Sequence, residues 1–389
     1  MTPAANGASR LLLHVLLLCV VAQLAFRPAH RQSRIAAQPL ESRPSSALDV
    51  KAFLPIVADA VRIAEREEAM RVVGRFDDVD GGAWGLEVDG AYAYLGQLDR
   101  ETGHRMMAVI DVSDPSTPRR VGRVSDLGGI AFSLEVVGAY VFSAAGSAGL
   151  VVIDVSDPTL PRVVSTLDLE LDAFDVEVRG PLAFVLEFEV DGSYSSDTFV
   201  LIADVSEATQ PVQLARLPVS GNAHSLAIAA DSSGRAVYVG DSYLDELLVI
   251  DVRDATRPEV QSRLPMPGVR DLKVTGDRLL IASTPNGRDD DNVRILDISE
   301  PLRPHELGAL TIGQTYIVAG EGSYAYSFTG SGLVAIDISR PLDAHVVAQA
   351  DVTGLGVLWA VRPSGNLVYL SSHGGEPEDE LVILERGPP

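Results

Sequence analysis

Cysteine occurs once in the 389 residues, at Cys19, inside an apolar stretch near the start of the chain. The rest of the protein therefore has no disulfide, no thiolate nucleophile and no cysteine metal site. Motifs that announce chemistry are missing as well. There is no glycine-rich phosphate loop followed by Lys-Ser or Lys-Thr, no HExxH, and no GxSxG between a strand and a helix. GSAGL at Gly146 and GSGL at Gly330 read as turns between strands. Basic charge is scarce. The formal net charge is −23, and because residues 1–70 hold 8 basic and 6 acidic side chains, the remainder carries 23 against 48, a net of −25. Such a body repels phosphate backbones and anionic headgroups, which argues against nucleic-acid binding and against a peripheral basic contact with a membrane.

A long apolar run exists only at the N-terminus, LLLHVLLLCVVAQLAF from Leu11 to Phe26, preceded by Arg10. It reads as a targeting segment and fits two roles, a cleaved signal peptide or a membrane anchor. Arg27, Arg31 and Arg34 follow it and blur the charge bias that would set its orientation. Leu18 stands before Cys19 where a lipoprotein signal has a small residue. The expected locations are the cell surface, the periplasm, or a membrane anchored through residues 11–26. Residues 27–50, rich in Arg, Ser, Pro and Ala, read as an exposed linker. Helix formers and the apolar spacing of Val61, Ile63 and Ala64 predict a short helix over 58–70.

What the chain does contain is repetition. VIDVSDP at Val109 returns at Val152 and then degrades to ADVSEA at Ala203, VIDVRDA at Val249, ILDISEP at Ile295, AIDISRP at Ala335 and VILERGP at Val382. Asp111, Asp154, Asp204, Asp251, Asp297, Asp337 and then Leu384 mark the repeats, spaced 43, 50, 47, 46, 40 and 47 residues apart. That is the period of a four-stranded propeller blade. The second unit shows four apolar bursts, at 119–124, 131–136, 139–144 and 150–156, separated by Gly, Pro, Asp and Ser. Several bursts are continuous in Val, Ile and Leu, as expected of sheets covered on both faces. Strands like RRVGRV begin at residues 71, 119, 163, 212, 260, 305 and 345. The first of them precedes any complete blade, and the last VILER has none after it. The expectation is therefore an all-β, seven-bladed β-propeller over 71–389, closed by strand 71–76 completing the sheet of 357–385. A short helix and the hydrophobic leader would precede it. The recurring Asp and the Pro seven residues later, at Pro118, Pro161, Pro211, Pro258 and Pro304, read as turn residues, since a catalytic site needs one constellation and not seven copies.

GLVVIDVSDP at Gly149–Pro158, preceded by GAYVFSA at Gly138, resembles the LVIVD repeat family. The resemblance covers roughly residues 71–385 and is weakest in the seventh unit. It implies a β-propeller, often exported or surface-attached, and it brings no shared catalytic residues with it.

In a propeller the loops from fourth to first strand and from second to third strand emerge on one face, where function usually sits. Those segments here hold many carboxylates, among them Asp77, Asp126, Asp168, Glu170, Glu187, Asp241, Asp245 and Glu246. An acidic loop face follows, open to a protein or small-molecule ligand, on a propeller expected to be monomeric. Solvation explains such a face as well as binding does. NGRDDDN places Asp289, Asp290 and Asp291 in one such loop, a candidate oxygen site for calcium without EF-hand spacing. At the channel rim the inner strands offer Trp84, Phe132, Phe174, His224, Arg270 and Tyr316, either a ligand-binding mouth or plain packing. Two functions stay open: a binding or scaffolding module, and a calcium-dependent hydrolase or lactonase-like enzyme at the channel mouth. The enzyme loses support where Glu87, Glu135, Asp175, Glu177 and Asp271 point between blades or bond to backbone.

Overall fold

The computed structural model describes residues 68–77, 81–99, 103–188, 197–220, 226–284, 292–329, 332–352, 354–373 and 381–387. Seven antiparallel sheets of four strands, one of them carrying an additional short strand, form a seven-bladed β-propeller. The inner strands, in blade order, are Gly81–Asp89, Ser133–Val137, Asp172–Arg179, Leu226–Ala230, Val269–Thr275, Thr315–Glu321 and Val357–Ser364. The ring closes as the repeat count requires. Arg71–Phe76 pairs antiparallel with Leu381–Glu385 and becomes the outer strand of blade 7. The leader and linker lie outside the described residues, and so does the expected helix except for its last three. Those three are extended. Glu68–Ala69 is a two-residue strand running parallel to the outer strand of blade 6, His345–Ala350, and Met70 packs into the core between blades 6 and 7.

The motif LVVID shows why these strands read as unbroken apolar runs. In Leu150–Asp154, Val151 and Ile153 enter the core shared with blade 1, whereas Leu150 and Val152 enter the core shared with blade 3. A strand alternates its side chains between two faces, and here both faces are interiors. The same division recurs at each blade interface, giving seven clusters, each shared by two neighbouring blades.

The aspartate that ends the motif builds the following turn. Asp111 accepts hydrogen bonds from the Ser113 amide at 3.0 Å and the Ser113 hydroxyl at 2.6 Å, and its other oxygen pairs with Arg119 at 2.8 Å. Asp154 repeats this with Ser156 and Arg162. The hydrogen bonds from the serines lead in holding both carboxyls down at about 2. Asp204, Asp251, Asp297 and Asp337 each accept the amide two residues on. These are the turn residues the repetition implied.

Each such turn also docks onto the preceding blade. All seven outer strands skip a residue against their neighbour near their start, a β-bulge, and that of blade 3 skips a second one near its end. Just after that bulge, Gly74, Gly122 and Gly308 lie under the carbonyls of Pro115, Pro158 and Pro341, where a Cβ would collide with backbone. Blade 2 has Ser165 there instead, and its hydroxyl donates to the Ala208 carbonyl at 2.6 Å. One interface thus uses absence of a side chain and the next a hydrogen bond.

Candidate functional site

Bulges also shape the channel end of the inner strands. Pairing with the second strand skips Phe174, Arg270, Tyr316 and Trp359 in blades 3, 5, 6 and 7, and both Trp84 and Gly85 in blade 1. A bulged residue is released from the pleat and re-aimed. Four of the skipped residues, Trp84, Phe174, Arg270 and Tyr316, are rim residues singled out from the sequence. His224 lies outside the described residues, as do Asp289, Asp290 and Asp291.

Three of the rim residues join in one aromatic chain. Trp84 meets Phe132 edge-on with centroids 5.6 Å apart, and Phe132 stacks on Phe174 at 4.7 Å. Three unforeseen residues extend the chain: Trp359 sits 4.3 Å from Trp84, His373 5.4 Å from Trp84, and Phe188 stacks on Phe174 at 3.8 Å. Trp359 is the rim residue of blade 7. The other rim residues follow Ala, Val or Thr, whereas Trp359 follows Leu358, so the sequence rule passed over it. Phe188 and His373 end second strands, and their signal was the position alone. The fully buried Trp84 and the partly buried Trp359 have indole N–H groups without an acceptor among the described residues. The other side of the rim is polar. Arg270, half-buried, donates from Nε to the Thr284 hydroxyl at 2.5 Å, and the Tyr316 hydroxyl donates to Gln314 Oε1 at 3.0 Å. Burial pulls the Arg270 pKa down, opposed by the neighbouring Tyr316 phenol.

Farther along the channel five inner-strand carboxylates, Glu87, Glu135, Asp175, Glu177 and Asp271, are engaged. Asp175 accepts the amides of Val176 at 2.9 Å and of Ile228, in the next blade, at 3.2 Å. Asp271 does the same with Leu272 and Val318, both at 2.9 Å. Each thus ties its blade to the following one. Glu87 accepts from Arg362 at 2.8 Å, and Glu135 from Arg179 at 2.8 Å. Glu177 takes the other end of Arg179 and also Lys273, the latter at 3.2 Å. These side chains keep from 5 to 23% of their surface accessible, so the pairs are largely desolvated. Burial pushes Asp271 up to about 7 and raises Asp175. Glu135 rises to about 7 through burial and then the negative charge of Glu177, with Lys273 and Arg179 opposing. Carboxylates bonded to backbone or closed into ion pairs have no lone pairs converging on an open centre. Among the described residues no group of three His, Cys, Asp or Glu side chains is placed to hold a metal ion.

Several acidic residues of the loop face have local partners. Asp126 accepts the Gly128 amide at 2.9 Å, and Asp241 the amides of Tyr243 and Leu244 at 2.8 and 2.9 Å. Asp245, at φ +56°, accepts the Gly268 amide at 2.9 Å. Glu187 is buried against Arg216, which also reaches Glu170 at 2.9 Å and lies 3.5 Å above the Phe199 ring.

Comparison with known proteins agrees with this architecture. A family profile described as LVIVD repeat matches residues 80–126, 128–168 and 312–344. No curated protein matches the chain in sequence. Among solved structures it is similar to the β-propeller domain of Cps50 (Swd1) from Myceliophteria thermophila, with a TM-score of 0.61 at 14% identity, covering 82% of this chain and all of that one. It is also similar to a functionally unknown protein from Desulfotomaculum acetoxidans, with a TM-score of 0.58 at 12% identity, covering 72% of this chain and 88% of that one. At such identities the likeness is one of fold. With the repeat matched at three places and seven blades closed into a ring, the chain is a seven-bladed β-propeller that carries LVIVD repeats at those places.

Proposed function

We propose that the protein is an exported or membrane-anchored propeller that acts as a binding or scaffolding module, using the acidic loop face around the channel mouth as its contact surface. The observation that carries this reading is the engagement of Glu87, Glu135, Asp175, Glu177 and Asp271. A calcium-dependent hydrolase at the channel needs several of those groups free to converge on one ion. Tied to backbone amides and arginines, they brace the ring instead. The apolar run at 11–26 and a body without cysteine support export, and a net charge of −25 beyond residue 70 favours a basic partner over nucleic acid or anionic lipid.

The test is a calorimetric titration of calcium into the metal-stripped protein begun at Asp49, with melting followed in parallel. The expected result is no saturable heat and no rise in Tm. Binding of one or a few ions with a stabilised fold would instead favour an oxygen site and the enzyme. A lysine-rich peptide should bind the same protein in a salt-sensitive way, while a glutamate-rich peptide of equal length should not. Equal binding of both peptides would rule out the acidic face as the contact surface.

A further inference from the structure

We propose that the channel mouth binds a small aromatic carboxylate, its carboxylate paired with Arg270 and its ring laid against Trp359, Phe132 and Phe174, the partly accessible members of the aromatic chain that the buried Trp84 joins. This goes beyond the scaffold reading, because it assigns a ligand class to the mouth itself and not to the surrounding loops.

Arg270 stands apart from the other channel cations in its pairing. The described inner strands contain four cations: Arg179, Arg270, Lys273 and Arg362. Three of them hold glutamates, while among the described residues Arg270 has only the neutral Thr284 hydroxyl. A partly desolvated charge without a counter-charge is costly, and a protein this rich in carboxylates has spare acids to place beside it. Burial already weakens the hold of Arg270 on its proton. An incoming anion supplies what the fold leaves out, and a guanidinium suits a planar carboxylate because it can donate two parallel hydrogen bonds.

The distribution of side chains around the ring points the same way. Blades 7, 1, 2 and 3 contribute Trp359, Trp84, Phe132 and Phe174 in continuous ring contact, and blade 5, across the channel from blades 1 and 2, contributes Arg270. A mouth apolar on one side and cationic on the other complements a ligand with a flat apolar body and a charged end. Beneath the rim Arg179, Lys273 and Arg362 pair with Glu87, Glu135 and Glu177, so among the described residues Arg270 is the inner-strand cation without a carboxylate. A net charge of −25 penalises each negative charge a ligand brings, so a monoanion is preferred to a phosphate dianion.

The only two tryptophans of the chain are Trp84 and Trp359, so tryptophan emission reports on the mouth alone. The experiment titrates benzoate, 2-naphthoate, 2-naphthamide and inorganic phosphate into the full chain, reading heat and emission together. The expected result is saturable binding of 2-naphthoate at one site with a change in emission, about tenfold or more tighter than the neutral amide, as a charge-assisted pair provides. Phosphate should not displace it. Arg270→Gln should bring the acid to the affinity of the amide without lowering the melting temperature, and Arg270→Lys should restore part of the preference. The assignment is overturned if neither acid binds, if acid and amide bind equally to the unaltered protein, if phosphate competes better than benzoate, or if Arg270→Gln keeps the preference for the acid. The scaffold reading is judged separately, by the basic peptide at the loop face.

Discussion

Gly122 offers a direct way to measure how tightly consecutive blades are joined. A methyl group there would collide with the Pro158 carbonyl oxygen and come within 2.8 Å of Pro161 Cδ. The carbonyl has little room to retreat, because the Asp157 carboxylate accepts the Thr159 amide at 3.0 Å and the Leu160 amide bonds back to the Asp157 carbonyl. Overpacking of this kind costs about 1–3 kcal/mol. Removing a glycine from a strand returns roughly 0.5–1 kcal/mol through the unfolded chain. The expected net loss for Gly122→Ala is about 2 kcal/mol at the upper end of that range. Unfolding entropy of about 2.1 cal/mol/K per residue over roughly 320 residues is about 0.7 kcal/mol/K, so the melting temperature should fall by about 3 °C. Two controls separate the possible causes. Gly138, at φ +61° with nothing within 4 Å of where a methyl would stand, tests backbone strain alone, at about 1 kcal/mol for alanine. Gly122→Ser copies the solution of blade 2, where the Ser165 hydroxyl reaches the facing carbonyl, so a hydrogen bond worth about 1 kcal/mol should make serine milder than alanine. Differential scanning calorimetry of the three variants is the assay. A Gly122→Ala protein that melts with the wild type, or a serine variant less stable than the alanine one, would refute the docking account.

Arg179→Met leaves Glu135 and Glu177 buried with Lys273 as their nearest cation, and should cost about 3–5 kcal/mol in urea unfolding; adding Glu135→Gln should recover part of that. Asp271 has a folded pKa of about 7 against an ordinary 3.8, so the folded state binds the proton more tightly. Its contribution to stability is therefore full below about pH 4 and is lost as pH rises to about 7, at about 1.4 kcal/mol per unit. Asp271→Asn should remove its share of the slope and leave that of Glu135, which is also raised to about 7, and an unchanged slope in chemical unfolding across the window would contradict the assignment. Deleting the chain through Phe76 takes away the outer strand of blade 7 and the Met70 and Phe76 side chains, and should turn a single cooperative transition into a broad one. A sharp transition at the original temperature would mean that the closing strand is dispensable.

Blade number and closure were legible in the sequence because two unlike strand patterns each occurred seven times, out of phase at the ends. The turn aspartates were legible for the same reason. Glu68–Ala69 was not, since helix formers describe local preference and its strand conformation comes from a parallel partner some 280 residues away. The rim was read from one register rule, which found Trp84, Phe132, Phe174, Arg270 and Tyr316 and missed Trp359 behind Leu358. Nothing in the chain marked Asp175 and Asp271 as ties between blades. An aspartate on a strand looks the same whether it faces water or caps the amide of a neighbouring sheet, and only the spacing of the blades decides between them.

Arg71 and Glu385, which pair across the closing seam, are 314 positions apart. On a ribosome adding about 5–20 residues per second, the strand made first waits roughly 15 to 60 s before its partner is synthesised. Throughout that interval blade 7 does not exist and the ring has two raw edges. Completion thus waits until Leu381–Glu385 is made, and a chain that stopped short of Leu381 would remain an open arc however well its first six blades had formed.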